Sequence, residues 1–138
     1  MSTENFNIRI MVVDDDAMVR EIVVEYLKAF GFTNILEVRQ SARALKHIQD
    51  VKEEMDLVIS DWEMPDPCGV DLLRAIKKNP HREKVKFIMI TSQKSMERVK
   101  IAQAASLGCD AYIVKPFRSK ILKEKIYQVL GWELQKAG

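Results

Sequence analysis

Four short apolar runs in this chain each stop abruptly at polar side chains. Runs of this length, bounded by turn residues, are typical of parallel strands buried on both faces of a sheet. The carboxyl ends of such strands share one rim, where ligands bind and chemistry takes place. We therefore expect acids, a hydroxyl and an ammonium to converge on one site. The runs are Ile8 to Val13, Leu57 to Ile59, Phe87 to Ile90 and Ala111 to Val114, followed respectively by Asp14-Asp15-Asp16, Ser60-Asp61, Thr91-Ser92 and Lys115-Pro116.

Segments with helical periodicity alternate with these runs, and Asn34 to Val38 adds a short second strand. Strand and helix thus alternate five times along the sequence. This predicts an α/β fold, namely a doubly wound, five-stranded parallel sheet with helices on both faces. Gly31 is placed to end the first helix, and Ser41 and Ser119 are the predicted N-caps of the second and last helices.

Three of the helices carry apolar stripes that we expect to face the sheet. The first helix begins near Ala17, the third is short and ends near Asn79-Pro80, and the fourth runs from about Met96 to Leu107. The stripes are Val19, Ile22, Val23, Tyr26, Leu27 and Phe30 in the first helix, Ala44, Leu45, Ile48 and Val51 in the second, and Ile121, Leu122, Ile126, Val129 and Leu130 in the last.

Length and charge narrow the classes of function. The 138 residues are enough for one domain, 1–138 with a core of about 8–130, and too few for two. The net charge of +2 gives no case for nucleic acid as a partner, and no apolar run is long enough for membrane insertion. Cys68 and Cys109 lack a metal-binding spacing, so reduced thiols and a cytoplasmic protein are expected.

The predicted rim has the chemistry of a phosphoryl acceptor. Carboxylates that lie close together repel, and one takes up a proton unless a cation joins them. Mg²⁺ suits this case because it prefers carboxylates, waters and phosphate oxygens. A carboxylate beside the metal can act as a nucleophile and form an aspartyl phosphate. Phosphoryl transfer then needs positioning and charge neutralisation, which the metal, the Lys115 ammonium and the Thr91 hydroxyl can supply.

Four sequence blocks, in this order, resemble the receiver domain of two-component response regulators. The resemblance extends from about Ile8 to Leu130, and the second block is most similar to the stand-alone chemotaxis type. It implies a flavodoxin-like (βα)5 fold with the strand order 2-1-3-4-5. The blocks are Val12-Val13-Asp14-Asp15, Ser60-Asp61-Trp62-Glu63-Met64-Pro65, Ile90-Thr91-Ser92 and Tyr112-Ile113-Val114-Lys115-Pro116-Phe117.

The resemblance implies a role for each matching residue of the phosphoryl site. Asp61 accepts the phosphoryl group from the phosphohistidine of a sensor histidine kinase, Lys115 binds that group, and Thr91 supplies the switch hydroxyl. Tyr112 matches the aromatic that changes rotamer on activation, although a core aromatic is the alternative. The protein would then catalyse only its own phosphorylation and dephosphorylation, and would not be an enzyme in the ordinary sense.

The resemblance also implies a magnesium site. Its ligands are the carboxylates of Asp14, Asp15 and Asp61 and the backbone carbonyl of Glu63. This sequence departs from the family pattern by adding a third acid, Asp16, which could compete as a ligand or cap the first helix.

Two further departures lie in loops. Pro67-Cys68-Gly69 lacks the acidic or polar residue that is common before this glycine in the family. The spacing from Thr91 to Lys115 is slightly longer than in the chemotaxis type, and we place the extra length in Ser92 to Met96.

Phosphorylation is expected to switch partner binding on the face formed by helix four, strand five and helix five. Its outward side chains include Lys94, Arg98, Lys120 and Lys123, which suit an acidic partner segment, and a phosphatase is a further candidate partner. Two alternatives stay open. One is a phosphorelay intermediate that passes the group to a histidine phosphotransfer protein. The other is a magnesium-dependent phosphatase, which would carry its nucleophile on the first strand.

Overall fold

A computed structural model describes residues 4–92 and 97–134, with the backbone alone described at 97–101. Among these described residues, no helix is both long and apolar enough to cross a bilayer. A short 3-10 helix (Pro80–Arg82) lies between the third helix and the fourth strand. The main elements are β1 (Ile10–Val13), α1 (Ala17–Phe30), β2 (Ile35–Val38), α2 (Ser41–Gln49), β3 (Leu57–Asp61), α3 (Gly69–Lys78), β4 (Lys86–Ser92), α4 (Glu97–Ser106), β5 (Ala111–Lys115) and α5 (Ser119–Leu130).

The five strands form one parallel sheet in the order β2-β1-β3-β4-β5. The predicted fold class and the strand order implied by the resemblance are therefore confirmed. β1 begins at Ile10 and not at Ile8, because Ile10 is the first residue in register with both neighbouring strands. β2 likewise begins at Ile35, one residue later than predicted.

Strand residues alternate between two apolar cores, one on each face of the sheet. Met11 and Val13 pack with residues of α2 and α3, whereas Ile10 and Val12 pack with residues of α1 and α5. Since both faces are covered, β1 and β3 are buried along their whole length. This is why these strands appear in the sequence as continuous apolar runs without a polar alternation.

α1 begins and ends where the sequence predicts. The Asp16 carboxylate accepts hydrogen bonds from the backbone N–H groups of Met18 and Val19, at 2.9 and 3.4 Å. Asp16 is therefore the N-cap of this helix, the second of the two roles considered for it. Gly31 follows the last turn with a φ of 108°, the left-handed conformation that glycine adopts without strain.

The predicted N-caps Ser41 and Ser119 are wrong. Each is the first residue of its helix, and the residues before them, Gln40 and Arg118, make no side-chain capping bond. The Ser41 hydroxyl instead donates to the carbonyl of Pro65 at 3.2 Å. Ser41 thus joins the start of α2 to the loop after β3, a tertiary contact that a local capping pattern does not reveal.

Three apolar residues that were expected to face the sheet are exposed. Ile22, Val51 and Ile121 are 39%, 55% and 40% exposed. In α1 the buried stripe runs through Val23, Val24 and Leu27, so Ile22 lies at its margin. Val51 follows the end of α2, and Ile121 lies beside the buried Leu122.

Four aromatic rings form a cluster at the amino ends of the strands, opposite the rim where the strands end. Phe6 lies 5.2 Å from Phe32 and 5.4 Å from Trp132, measured between ring centroids. Trp132 also stacks on Phe32 at 5.8 Å and meets Tyr127 edge-on at 5.2 Å. The cluster joins the segment before β1 to the segment after α5.

Candidate functional site

Four polar side chains lie where strands end. Asp14 directly follows β1, Asp61 ends β3, Thr91 is the penultimate residue of β4, and Lys115 ends β5. Asp14, Asp61 and Thr91 are only 2%, 4% and 1% exposed. The fold therefore brings the predicted site residues to one rim, and their functional roles stay predictions.

Lys115 supplies an ammonium group to the site. Its Nζ lies 3.2 Å from Oδ1 of Asp61 and 3.6 Å from Oδ2 of Asp14. The lysine side chain is 23% exposed, whereas the two carboxylates are almost wholly buried. The Lys115 ammonium thus reaches from β5, across β4, to two carboxylates at the ends of β1 and β3. This contact could be predicted only once the strand order was known.

The two buried acids share more negative charge than this lysine balances. Burial, followed by the charge of Asp14, raises the pKa of Asp61 to about 7, although Lys115 acts in the opposite direction. Burial also raises the pKa of Asp14. Burial alone would lower the pKa of Lys115, but the combined charges of Asp61 and Asp14 outweigh it and raise that pKa. Lys115 is therefore protonated at neutral pH.

The acid cluster fits a divalent cation. Asp14, Asp15 and Asp61 each offer a carboxylate oxygen, and these oxygens lie within 4.8 Å of one another. Asp15 is exposed and the other two are buried, so the cluster opens to solvent on one side. Hard oxygen ligands, excess negative charge and room for water suit Mg²⁺. The Glu63 carbonyl stays a prediction as a further ligand.

The Thr91 hydroxyl has an acceptor that sequence analysis did not find. It donates to Oε1 of Glu63 at 2.8 Å, and the Ser92 hydroxyl donates to the same oxygen at 3.4 Å. The signal was present in the sequence, because Glu63 lies two residues beyond Asp61 and Thr91 lies near the end of β4, the strand next to β3.

The loop after β3 is held close to the phospho-acceptor strand. The Trp62 N–H donates to the carbonyl of Ile90 on β4 at 2.8 Å, and the Gly69 N–H donates to the Trp62 carbonyl at 3.2 Å. A Cβ atom at Gly69 would overlap the Asp61 carbonyl and approach Met89 Sδ to 2.9 Å. Glycine is therefore required at this position, because only it lets α3 start against the end of β3.

Tyr112 lies on the surface between the last two helices. Its side chain is 38% exposed, so the core-aromatic alternative is wrong, and the switch role stays a prediction. It lines a shallow groove of about 250 Å³ with residues of α4, β5 and α5, among them Ala104, Lys125 and Gln128.

Predictions that fall on Lys94 and Met96, and on the side chain of Arg98, lie outside the described residues.

Comparison with known proteins gives the family. The family model described as response regulator receiver domain matches residues 10–127. The chemotaxis protein CheY of Pseudomonas aeruginosa is 35% identical over 121 residues, which are 88% of this chain and 94% of that relative. CheY-3 of Vibrio cholerae is 37% identical over 125 residues, 91% of this chain and 93% of the relative. The chain belongs to the response regulator receiver domain family.

Solved structures give the same result for the fold. A CheY-like receiver domain protein from Methanospirillum hungatei superposes with a TM-score of 0.77 and is 31% identical. The match covers 91% of this chain and 94% of that one. A putative response regulator from Chloroflexus aurantiacus has a TM-score of 0.80 at 25% identity, over 91% of this chain and 98% of the other.

Proposed function

We propose that this chain is a stand-alone response regulator that accepts a phosphoryl group on Asp61 from a sensor histidine kinase and thereby switches partner binding, in chemotaxis-like signalling in the cytoplasm. The observation that supports this most directly is the nearly buried Asp61 carboxylate, 3.2 Å from Lys115 and within 4.8 Å of the other two acids. The similarity to chemotaxis relatives supports the signalling context.

The transfer needs few groups. A carboxylate oxygen of Asp61 attacks phosphorus as the bond from phosphorus to the histidine nitrogen of the kinase breaks. Only the phosphoryl group is transferred, from the kinase histidine to Asp61. Lys115 lies where it can neutralise the negative charge that arrives, and Asp14, Asp15 and Asp61 would hold Mg²⁺. When bound, Mg²⁺ neutralises charge on the phosphoryl oxygens. The same residues would serve hydrolysis, in which a water oxygen attacks phosphorus, the bond from phosphorus to the Asp61 oxygen breaks, and inorganic phosphate leaves. On this proposal the protein catalyses only its own phosphorylation and dephosphorylation.

The first test is phosphoryl transfer. We expect purified protein to take label from a phosphorylated kinase in Mg²⁺, and Asp61→Asn to take none, because the amide is not a nucleophile. Lys115→Ala should still be labelled, but phosphorylation should lose most of its effect on partner binding, because the Lys115 ammonium binds the phosphoryl group after transfer. Asp66→Asn, an exposed acid in the adjacent loop, is the matched control. Label on Asp61→Asn at the wild-type rate would contradict the proposal.

A second experiment tests the phosphorelay alternative. Transfer of the phosphoryl group from Asp61 onward to a histidine phosphotransfer domain would identify the chain as a phosphorelay carrier.

The proposed target surface is the face of α4, β5 and α5 around Tyr112. Lys120 is exposed there, Lys123 lies 5.5 Å from the Tyr127 ring, and Lys125 lines the groove. Such a surface suits an acidic or amphipathic segment. We expect amide shifts on adding beryllofluoride, a phosphoryl mimic, to extend from Asp61 to this face. Shifts confined to α1 and α2 would place the output surface elsewhere.

A further inference from the structure

The Thr91 hydroxyl is bound to a carboxylate other than the phospho-acceptor. Thr91 is 1% exposed, and the acceptor of its hydroxyl proton is Oε1 of Glu63, at 2.8 Å. Glu63 belongs to the loop after β3 and is otherwise exposed. A buried hydroxyl on one strand is thus held by a surface acid that follows the neighbouring strand.

The backbone around Glu63 is fixed on its amino-terminal side. The N–H of Trp62 donates to β4 at Ile90, and the Trp62 carbonyl accepts from both Met64 and Gly69, at 3.1 and 3.2 Å. The side chain of Glu63 therefore reaches Thr91 from a loop that is anchored to β4 and to the start of α3. This geometry favours a persistent contact over an occasional one.

One proton cannot satisfy two acceptors. A hydroxyl carries a single donor hydrogen, so Thr91 can donate either to Glu63 or to an oxygen of a phosphoryl group on Asp61. Bonds to an ionised carboxylate are among the stronger hydrogen bonds of proteins. A phosphoryl group on Asp61 must therefore displace Glu63 before Thr91 can donate to a phosphoryl oxygen.

We propose that Glu63 is a positioning residue that holds Thr91 in the unphosphorylated state and so sets the threshold of the switch; this rests on the proposed function. A phosphoryl group brings close to two negative charges to Asp61, near the charge of Glu63, and offers Thr91 new acceptor oxygens. Repulsion weakens the hold of Glu63 as the alternative becomes available. The Ser92 hydroxyl, 3.4 Å from the same Oε1, then stays with Glu63 as a donor.

The test compares Glu63→Gln with Glu63→Ala. Both variants remove the charge, but the glutamine amide oxygen still accepts a hydrogen bond, so it should continue to hold Thr91. In unphosphorylated protein we expect the Thr91 methyl shift and χ1 populations, measured by NMR, to stay near wild type in Glu63→Gln and to change in Glu63→Ala. With Mg²⁺ present, Glu63→Ala should bind beryllofluoride roughly fivefold more tightly than Glu63→Gln. In a Thr91→Val background the two variants should bind it equally.

Three results separate the inference from the function on which it rests. Unchanged Thr91 rotamers in Glu63→Ala would overturn the inference. A difference in beryllofluoride affinity that survives in the Thr91→Val background would overturn it too, because Glu63 would then act without Thr91. If the wild-type protein binds no beryllofluoride and takes no label, the proposed function fails, while the rotamer measurement still decides whether Glu63 holds Thr91.

Discussion

Replacing Arg82 with methionine should lower the free energy of unfolding by about 3 kcal/mol. Arg82 is 4% exposed, and its guanidinium donates to four backbone carbonyls from the end of α2 and the loop after it. The first two of these carbonyls lie in the last turn of α2, where no intrahelical donor is available. The acceptors are those of His47 (3.0 Å), Ile48 (2.9 Å), Asp50 (2.7 Å) and Glu53 (2.7 Å).

The size of this effect depends on what the variant leaves behind. Methionine fills a similar volume but donates no hydrogen bond, so the carbonyls lose a donor inside the protein. Arg82→Lys keeps the charge, yet its compact ammonium lacks the planar fork that reaches several carbonyls at once, and it should recover only part of the loss. Urea unfolding measures the free energy of unfolding of Arg82→Met and of Arg82→Lys. Arg74→Met, at an exposed arginine of α3, is the control, with a change of about 0.5 kcal/mol or less. Equal losses at the two positions would show that the buried guanidinium stabilises little.

Replacing Asp61 with asparagine should stabilise the protein in the absence of divalent cations, by about 2 kcal/mol at neutral pH. The pKa of Asp61 is raised to about 7 by burial and by Asp14, so the folded state holds its proton more tightly than the unfolded chain does. By linkage, the contribution of this group to stability is lost as pH rises from about 4 to about 7. Removing the carboxylate removes that loss, and Lys115 keeps Asp14 as a partner at 3.6 Å.

The pH dependence tests this explanation directly. Urea unfolding in chelator at pH 7.5 and at pH 5 should show the advantage of Asp61→Asn shrinking at the lower pH, because the wild-type carboxylate is then mostly protonated. Added Mg²⁺ should stabilise the wild-type protein, by an amount that rises with its concentration, and should stabilise Asp61→Asn much less. A variant that is less stable than wild type at pH 7.5 would mean that the Asp61–Lys115 pair outweighs the repulsion.

The sequence predicts the fold well because the strands are buried on both faces. A short apolar run such as Leu57 to Ile59 is typical of a strand buried on both faces, and the acid Asp61 that follows it marks the end of that strand. The strand order required the resemblance, since no local pattern says that β1 lies between β2 and β3. Helix ends followed from the sequence where the signal is local: Gly31 was predicted to end α1, and capping was one of the two roles considered for Asp16. The prediction failed at Ser41, whose hydroxyl donates to a distant loop.

The site shows the same division between local and distant information. The residues that end strands could be found by position, and Asp14, Asp61 and Lys115 do lie together. The bond between Thr91 and Glu63 could not be derived in the same way, because it depends on how a loop folds back over the neighbouring strand. Arg82 was missed for a similar reason. Its acceptors lie about 30 positions earlier in the chain, and an arginine in a polar turn is ordinarily exposed.

The aromatic cluster at the far end of the sheet has a consequence for how the chain can be rearranged. Phe6 and Trp132 touch, so the first and last described segments of the protein meet at one place. A short flexible linker between them would make a closed loop, which could be reopened in an exposed connection at the same end of the sheet, outside the Asp50–Glu53 loop whose carbonyls Arg82 binds. Such a circular permutant would keep every strand neighbour of Asp61, and its new ends would still lie at the amino-terminal end of the sheet, far from the acids.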